Sequence, residues 1–350
     1  MISVAYDADS LAVSRYGGIA TTCYHTLRQA SLHPDIAPTA LYRRGDPLSV
    51  GLGTIPWERH NILQRFLPDR FDILHALCHR LPTVRARKRV YMLHDAWSLR
   101  PNKYQPPAFQ KKVGARMRRE LAAVDLVIVG SQAVEKELAG HNLVDPAKVT
   151  VAYQGVEPPP AAFGKPITFE IEPLLRVPYV LFVGRLETRK NILHILEAVR
   201  PLGDMHLVLV GQPGFGYENE ISTGLAGFPD ARLHRFTQIP GRDLGLLYRH
   251  ALAGVFPSWE EGFGLPILEA MAAGCPVVTA NCSAPPEVVG DSALLVDPND
   301  PGQTREAIER LRADRAFGEK LGAAGARRAA AFTWERYFKV LASAYLQLLA

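Results

Sequence analysis

The chain has 350 residues with 47% apolar and 21% charged side chains, enough for about two domains with buried cores. No apolar run approaches the ~20 residues that cross a bilayer, so a helical membrane span is excluded. The net charge of +5 is uneven: residues 1–160 hold 21 Lys/Arg against 14 Asp/Glu and residues 161–350 hold 19 against 21, which points to an anionic partner for the first half, a membrane surface or an acidic acceptor.

The opening MISVAYDADS runs straight into a strand-like stretch without a basic start, so a signal peptide is not expected. Cys23, Cys78, Cys275 and Cys282 show no C-x-x-C spacing. Zinc and a disulfide framework are therefore not expected, and a reduced, cytoplasmic setting fits. Predicted strands are Ile2–Tyr6, Ile73–Leu77, Val90–Leu93, Leu126–Val129 and Val149–Tyr153, then Tyr179–Val183, Leu207–Val210, Arg232–Phe236, Gly254–Phe256, Pro276–Thr279 and Ala293–Val296. Helical patterns lie between most of them, which predicts an α/β protein with parallel, doubly wound sheets. The densest run of proline, Pro158–Pro160, Pro166, Pro173 and Pro178 with Gly164 among them, marks a boundary. The expected division is a first domain over 1–157, a linker over 158–177, a second domain over 178–332 and a final helix over 333–350. Open α/β sheets bind ligands at the carboxyl ends of their strands, so two facing sheets would place the active site in a cleft between them.

Several strand ends carry candidate residues. The first leads into YDADSLAVSRYGGIA, where Gly17 and Gly18 would open a helix. Asp7 and Asp9 in the same run have the form of a D-x-D metal pair, with a loop-forming aspartate as the plain alternative. Val90–Leu93 ends in His94-Asp95; a half-buried histidine bonded to a loop carbonyl is the plain alternative to a reactive one. Lys111–Arg119 is basic and interleaved with Val113 and Met117 on one helical face, so it reads either as a solvated face or as a helix on anionic lipid. Leu126–Val129 leads to Gly130-Ser131. After Tyr179–Val183 come Arg185 and Lys190, a planar fork and a point charge that together suit a diphosphate, or else two surface cations. Leu207–Val210 ends at Gly211.

The most informative stretch is Gly254–Asn281, GVFPSWEEGFGLPILEAMAAGCPVVTAN. Glu261 and Glu269 have seven residues between them, Pro266 falls where a helix would start and Gly274 where it would end. The unit reads strand, Gly-rich loop, helix, strand. N–H groups from Gly262 through Phe263 and Gly264 to Leu265 would be free at a helix start, a ready place for a phosphate or a sugar hydroxyl. Glu269 is expected in the helix's first turn and Glu261 in the loop, so the two would grip different parts of one extended ligand. For two glutamates at this spacing alone, an ordinary βαβ unit with an exposed Glu269 is the favoured reading.

The run EGFG, LP, EAMA and PVV, together with GRLETRKN, resembles the donor-site signature of the retaining GT-B glycosyltransferases of family 4, and the two-domain pattern extends the resemblance over nearly the whole chain. The resemblance implies two Rossmann-like domains facing a central cleft, with the C-terminal helix crossing back to the first. It implies a nucleotide-diphosphate sugar as donor and a glycan or lipid-linked acceptor in polysaccharide assembly. By the same resemblance His94, Arg185, Lys190 and Glu261 are catalytic. Gly17, Gly18, Gly211, Gly262, Phe263, Gly264, Leu265 and Glu269 bind the donor, with Glu269 on the ribose and Glu261 on the sugar. Asp7, Asp95 and Ser131 are acceptor-side candidates. The D-x-D at Asp7 belongs to the GT-A fold when it binds metal, so no metal and no cofactor are expected. YDADSLAVSRYGGIA and Ser283–Pro298 resemble the mannosyltransferase-like branch, which favours GDP-mannose or a GDP-deoxyhexose; a UDP-sugar glucosyl-type transferase is the alternative. The setting implied is cytoplasmic, with a possible peripheral contact at the inner membrane face through Lys111–Arg119. A GT-B epimerase or phosphorylase, and a non-catalytic nucleic-acid binder, are the other classes. The intact Arg185, Lys190, Glu261 and Glu269 count against the binder, so no nucleic-acid partner is expected.

Overall fold

The computed structural model describes residues 1–13, 17–45, 51–61, 64, 66, 68–78, 80–158 and 168–350. These form two compact units: Met1–Asn102, Pro106–Gly155 and Thr333–Ala350 make the first, Lys103–Gln105 and Val156–Phe332 the second.

Unit 1 is built on strands β1 (Ile2–Asp7), β2 (Ile36–Tyr42), β3 (Trp57–Arg59), β4 (Phe71–Ala76), β5 (Ala86–Leu93), β6 (Leu126–Val129) and β7 (Val149–Val151). They form one parallel sheet in the order β3-β2-β1-β4-β5-β6-β7. Its helices are α1 (Asp9–Val13), α2 (Gly18–Leu32), α3 (Pro107–Leu121) and α4 (Gln132–Gly140). Unit 2 carries β8 (Tyr179–Val183), β9 (His206–Val210), β10 (Leu233–Phe236), β11 (Ala253–Phe256), β12 (Val277–Ala280) and β13 (Leu294–Val296), again all parallel, in the order β10-β9-β8-β11-β12-β13. With them go α5 (Ile192–Val199), α6 (Ser222–Ala226), α7 (Gly241–His250), α8 (Leu265–Ala272), α9 (Pro285–Val289), α10 (Pro301–Ala313) and α11 (Arg315–Ala329). The last helix, α12 (Trp334–Leu349), belongs to unit 1. Central strands such as LVIV of β6 and AGVF of β11 are buried throughout, as expected for parallel strands covered on both faces.

All eleven predicted strands are present, ten within a residue or two of their expected bounds, while the one expected over Val90–Leu93 starts four residues earlier, at Ala86. The sequence reading missed β2 and β3. Pro38 argues locally against a strand, yet β3 pairs only with Ala40–Tyr42, so Pro38 sits where one side of β2 is unpaired and its lacking N–H is tolerated. The expected linker also differs. Residues 159–167 lie outside the described residues, and the stretch 168–177 is no bare connection. Phe169–Ile171 and Pro173–Arg176 are short 3-10 turns, with Ile171 and Leu174 buried in unit 2. Pro173 opens the second turn, where its fixed φ is an advantage.

Helix α12 packs against α2, and Trp334, Tyr337, Phe338, Leu341 and Tyr345 are buried along it. Trp334 stacks on His25 at 4.4 Å, Thr26 Oγ1 donates to the Tyr337 hydroxyl at 3.3 Å, and the Tyr345 hydroxyl meets His75 Nδ1 at 2.6 Å. Gly155 faces the start of this helix so closely that a Cβ there would collide with the Trp334 backbone.

Candidate functional site

The site in unit 2 is assembled around the loop between β11 and α8. Glu261 lies in that loop with its side chain 10% exposed. Lys190 Nζ donates to its Oε1 at 2.5 Å, Arg189 Nη1 to its Oε2 at 3.3 Å and Ser258 Oγ to Oε1 at 2.7 Å. Ser283 fixes the backbone: its Oγ accepts from Glu261 N at 3.1 Å and donates to Glu261 O at 2.7 Å. Ser283 holds a left-handed φ of 61° to do so. Arg189 is shared, bonding also to Glu187 Oε1 at 2.7 Å and to the Glu260 carbonyl. Two cations and two carboxylates thus balance in a half-buried cluster. Burial pushes the Glu261 carboxyl up, but Lys190 and Arg189 outweigh it and bring it down to about 2. Glu261 is an ionised, oriented acceptor across the neutral range.

Glu269 is held differently. The helix begins at Leu265, so Glu269 is its fifth residue and lies in the second turn, not the first as expected. The loop uses Gly264 as the residue before the helix, at φ 101°, a conformation only glycine adopts without strain. The Tyr248 hydroxyl donates to Glu269 Oε2 at 3.2 Å. Burial raises the carboxyl to about 7, against the lowering effect of that hydrogen bond. Two glutamates eight positions apart therefore sit in opposite electrostatic environments.

Gly262 and Phe263 have partners within the protein, and the Phe263 ring is buried 6.0 Å from that of Phe332. Ile267 N is the first within the helix to donate, to Gly264 O at 2.9 Å, and Pro266 has no N–H. The N–H groups of Gly264 and Leu265 are the ones that stand directly before that first donor. Arg185 is exposed, with Nη2 3.5 Å from the Pro213 carbonyl. Lys190 is bound to Glu261, so the structure joins it to the loop carboxylate. Gly211 closes β9, its N–H donating to Phe236 O at 2.7 Å.

In unit 1, Gly17 precedes α2 and Gly18 is its first residue, while 14–16 of the same motif lie outside the described residues. His94 is half-buried, and its Nε2 lies 2.7 Å from the Leu77 carbonyl. That carbonyl can only accept, so Nε2 carries the proton and is not the atom that would abstract one. Asp95 beside it is half-buried and has a partner within the protein. Ser131 is corrected: it is fully buried and its Oγ accepts from Val134 N at 3.2 Å, capping α4 rather than facing a ligand. Asp7 is 2% exposed, and Asp9 is committed to Arg43, Oδ2 to Nη2 at 2.6 Å.

Sequence reasoning missed Arg189, Ser258, Ser283 and Tyr248. Arg189 adjoins Lys190 and could have been suspected. Ser283 and Tyr248 are about twenty residues from the carboxylates they hold, and no spacing points to them.

Residues 17–158 match the profile described as Glycosyltransferase Family 4, and residues 177–314 match that of Glycosyl transferases group 1. The chain is 37% identical over 172 residues to O-antigen chain mannosyltransferase B of Escherichia coli, covering 48% of this chain and 45% of that one. It is 30% identical over 247 residues to D-inositol 3-phosphate glycosyltransferase of Mycobacterium tuberculosis, covering 63% and 48%. The matched parts thus span about half the length of these curated relatives. Two solved structures share the fold over nearly their full length. Sucrose-phosphate synthase from Thermosynechococcus elongatus has a TM-score of 0.73 at 22% identity, covering 99% of both chains. Anabaena HepE in complex with UDP and glucose has a TM-score of 0.76 at 18% identity, covering 98% of this chain and 99% of that one. With both halves matched in order and the fold shared end to end, the chain belongs to the GT-B glycosyltransferases of family 4, of the group 1 type.

Proposed function

We propose that the chain transfers a hexose, mannose or a related deoxyhexose, from a GDP-linked donor to a glycan or lipid-linked acceptor in polysaccharide assembly, with retention of configuration and without a metal. The observation that carries this is the Glu261 carboxylate, ionised and locked between Lys190, Arg189 and Ser258 at the start of α8. Such a fixed acceptor suits donor-sugar hydroxyls, while Arg185, Lys190 and the N–H groups of Gly264 and Leu265 stabilise the departing diphosphate. Glu269 takes the ribose, His94 touches the donor sugar near the scissile bond, and Asp95 stands on the acceptor side. The likeness to a mannosyltransferase of O-antigen chains supports mannose. The Asp9–Arg43 ion pair supports reading the D-x-D run as structural rather than as metal ligands.

The test is hydrolysis and transfer with GDP-mannose and UDP-glucose in EDTA, with the product anomer read by NMR. Turnover of GDP-mannose with an α product is expected. Activity only with UDP-glucose changes the donor, a β product removes retention, and dependence on Mg²⁺ or Mn²⁺ removes the metal-free mechanism.

The two carboxylates should separate in calorimetry with free GDP. Glu269→Ala removes a charged acceptor from the nucleotide and should weaken binding by about ten- to a hundredfold, the equivalent of ~1.5–3 kcal/mol. Glu261→Ala should leave GDP affinity nearly unchanged while lowering turnover. Because Glu269 titrates near 7, its contribution should grow as pH rises through that value and vanish in Glu269→Gln. The opposite pattern, with Glu261 governing GDP, would reverse the roles.

A peripheral membrane contact is proposed for α3. No described helix is long and apolar enough to cross a membrane. Lys111, Lys112, Arg118 and Arg119 are exposed on α3, and Phe109 beside them is 52% exposed. Binding to anionic vesicles should fall with salt and by about 1 kcal/mol for each Lys→Gln change. Equal binding to neutral vesicles would leave α3 a solvated face.

A further inference from the structure

Among the described residues three non-glycines have a left-handed φ, and two of them adjoin the Glu261 cluster: Asn191 at 60° and Ser283 at 61°. Ser283 has an evident reason, since its hydroxyl bonds the Glu261 backbone. Asn191 follows Lys190 directly and ends the 3-10 turn Thr188–Lys190, its N–H donating to Thr188 O at 3.0 Å. Outside glycine, such a conformation is visited chiefly by asparagine and aspartate, and it persists where surrounding contacts hold it.

The side chain shows which contacts these are. An asparagine in front of a helix ordinarily caps it with its side-chain oxygen. Asn191 precedes α5 and makes no such bond. Its amide nitrogen instead donates to two carbonyls, that of Pro257 at 3.0 Å and that of Pro298 at 2.7 Å. Asn191 is 4% exposed, and both prolines are buried. Pro257 follows β11 and stands next to Ser258, which bonds Glu261 Oε1. Pro298 lies beyond β13 and is itself held from α5 and α10. His194 Nδ1 donates to its carbonyl at 3.0 Å, and His194 Nε2 accepts from Thr304 Oγ1 at 2.7 Å. Burial lowers the His194 imidazole, so it stays neutral and suits one bond of each kind.

The turn that carries Arg189 and Lys190 is thus joined to the loop that carries Glu261 by uncharged bonds as well as by ion pairs. Asn191 Nδ2 reaches Pro257 O, and Trp259 N donates to Arg189 O at 3.1 Å. The ion pairs cannot set the spacing by themselves. A lysine ammonium on its flexible four-carbon stem follows a carboxylate that moves. A short amide bonded to two buried backbone oxygens does not.

We propose that Asn191 is a positioning residue for sugar transfer: its side-chain amide locks the turn of Lys190 to the loop of Glu261, so that the ammonium facing the diphosphate and the carboxylate facing the sugar keep one fixed spacing. The part played in transfer rests on the proposed transferase activity.

Asn191→Gly keeps the left-handed turn and removes the amide. Its kcat should fall by at least about tenfold, because displacing a catalytic group by an ångström costs up to ~10²-fold, and KM for the donor should change less. The Glu261 carboxyl is followed by NMR with ¹³C-labelled glutamate and assigned through Glu261→Gln. In Asn191→Gly it should rise from about 2 towards the ordinary glutamate range, as Lys190 and Arg189 drift from it. Urea unfolding confirms that the variant is folded. A lower unfolding midpoint with kcat and the carboxyl unchanged overturns the proposal, because Asn191 would then serve the fold alone. The unmodified chain supplies a second measurement should the variant not fold. With the amide engaged by two carbonyls, its side-chain protons should exchange far more slowly than those of a solvent-exposed asparagine, and equally fast exchange overturns the proposal. Hydrolysis of GDP-mannose or UDP-glucose by the unmodified chain is the separate measure of the transferase reading. Hydrolysis that Asn191→Gly leaves near normal sinks the positioning role alone. A carboxyl that rises in Asn191→Gly, in a chain that hydrolyses neither donor, sinks the transferase reading and leaves the lock between turn and loop.

Discussion

Lys190→Ala should lower turnover by at least ~10²-fold and should also weaken unit 2. The first effect comes from losing a cation on the departing diphosphate. The second comes from Glu261, which would keep only Arg189 and Ser258 as partners for a carboxylate that is 10% exposed. Removing one member of such a pair costs of order 3 kcal/mol, because the remaining charge stays buried without full compensation. Arg185→Ala should show the first effect without the second, since Arg185 is exposed and, among the described residues, makes a single long contact, to the Pro213 carbonyl. The double variant Lys190→Ala/Glu261→Ala restores the charge balance and should recover stability while turnover stays low. Steady-state rates and urea unfolding on the three variants would measure this. Near-normal turnover in both Lys190→Ala and Arg185→Ala would remove the diphosphate assignment.

Acid should loosen unit 1 through His75. This side chain is fully buried, and its Nδ1 lies 2.6 Å from the Tyr345 hydroxyl. Burial, with His94 nearby, depresses its pKa to about 3. The unfolded chain titrates near 6.5, so below that value the unfolded state binds a proton that the folded state refuses. Stability from this residue is therefore intact above pH 6.5 and falls progressively as pH drops towards 3. Between pH 6.5 and 4.5 the loss is about 2 kcal/mol, a little under two pH units at ~1.4 each because the unfolded imidazole is only half protonated at the start. Hydrogen exchange in α12 and β4 should accelerate over that interval. His75→Gln cannot acquire a charge, so it should flatten the pH dependence even though it lowers stability at pH 7. An unchanged acid profile in that variant would mean that another group controls α12.

The sheets were legible because parallel strands buried on both faces are continuous apolar words, such as LVIV, YVLFV and HLVLV. β2 and β3 were not, because their stability comes from pairing. IAPTALY contains proline and becomes a strand only beside β1, some thirty residues earlier, while WER is polar and becomes one only beside β2. The spacing of Glu261 and Glu269 was visible, and Gly274 does end α8, at φ 75°. The helix start was misjudged by one residue, enough to move Glu269 into another turn. More was hidden in the partners. The contrast between a carboxyl near 2 and one near 7 depends on Lys190 and Arg189 folding back onto one, and on burial beneath Tyr248 for the other. No local pattern encodes that difference.

The placement of α12 has a consequence for synthesis. Unit 1 is interrupted after Gly155 and resumes at Thr333, with unit 2 encoded between. A nascent chain emerging from the ribosome at ~5–20 residues per second folds domain by domain. Here the domain that starts first must wait for residues 333–350, so unit 2 is the first that can finish. Throughout that wait the faces of α2 and β4 that receive Trp334, Tyr337 and Tyr345 are open to water, with His75 among them. The newborn protein is therefore most exposed to chaperones, proteases and aggregation in its N-terminal half, during the interval needed to translate the other.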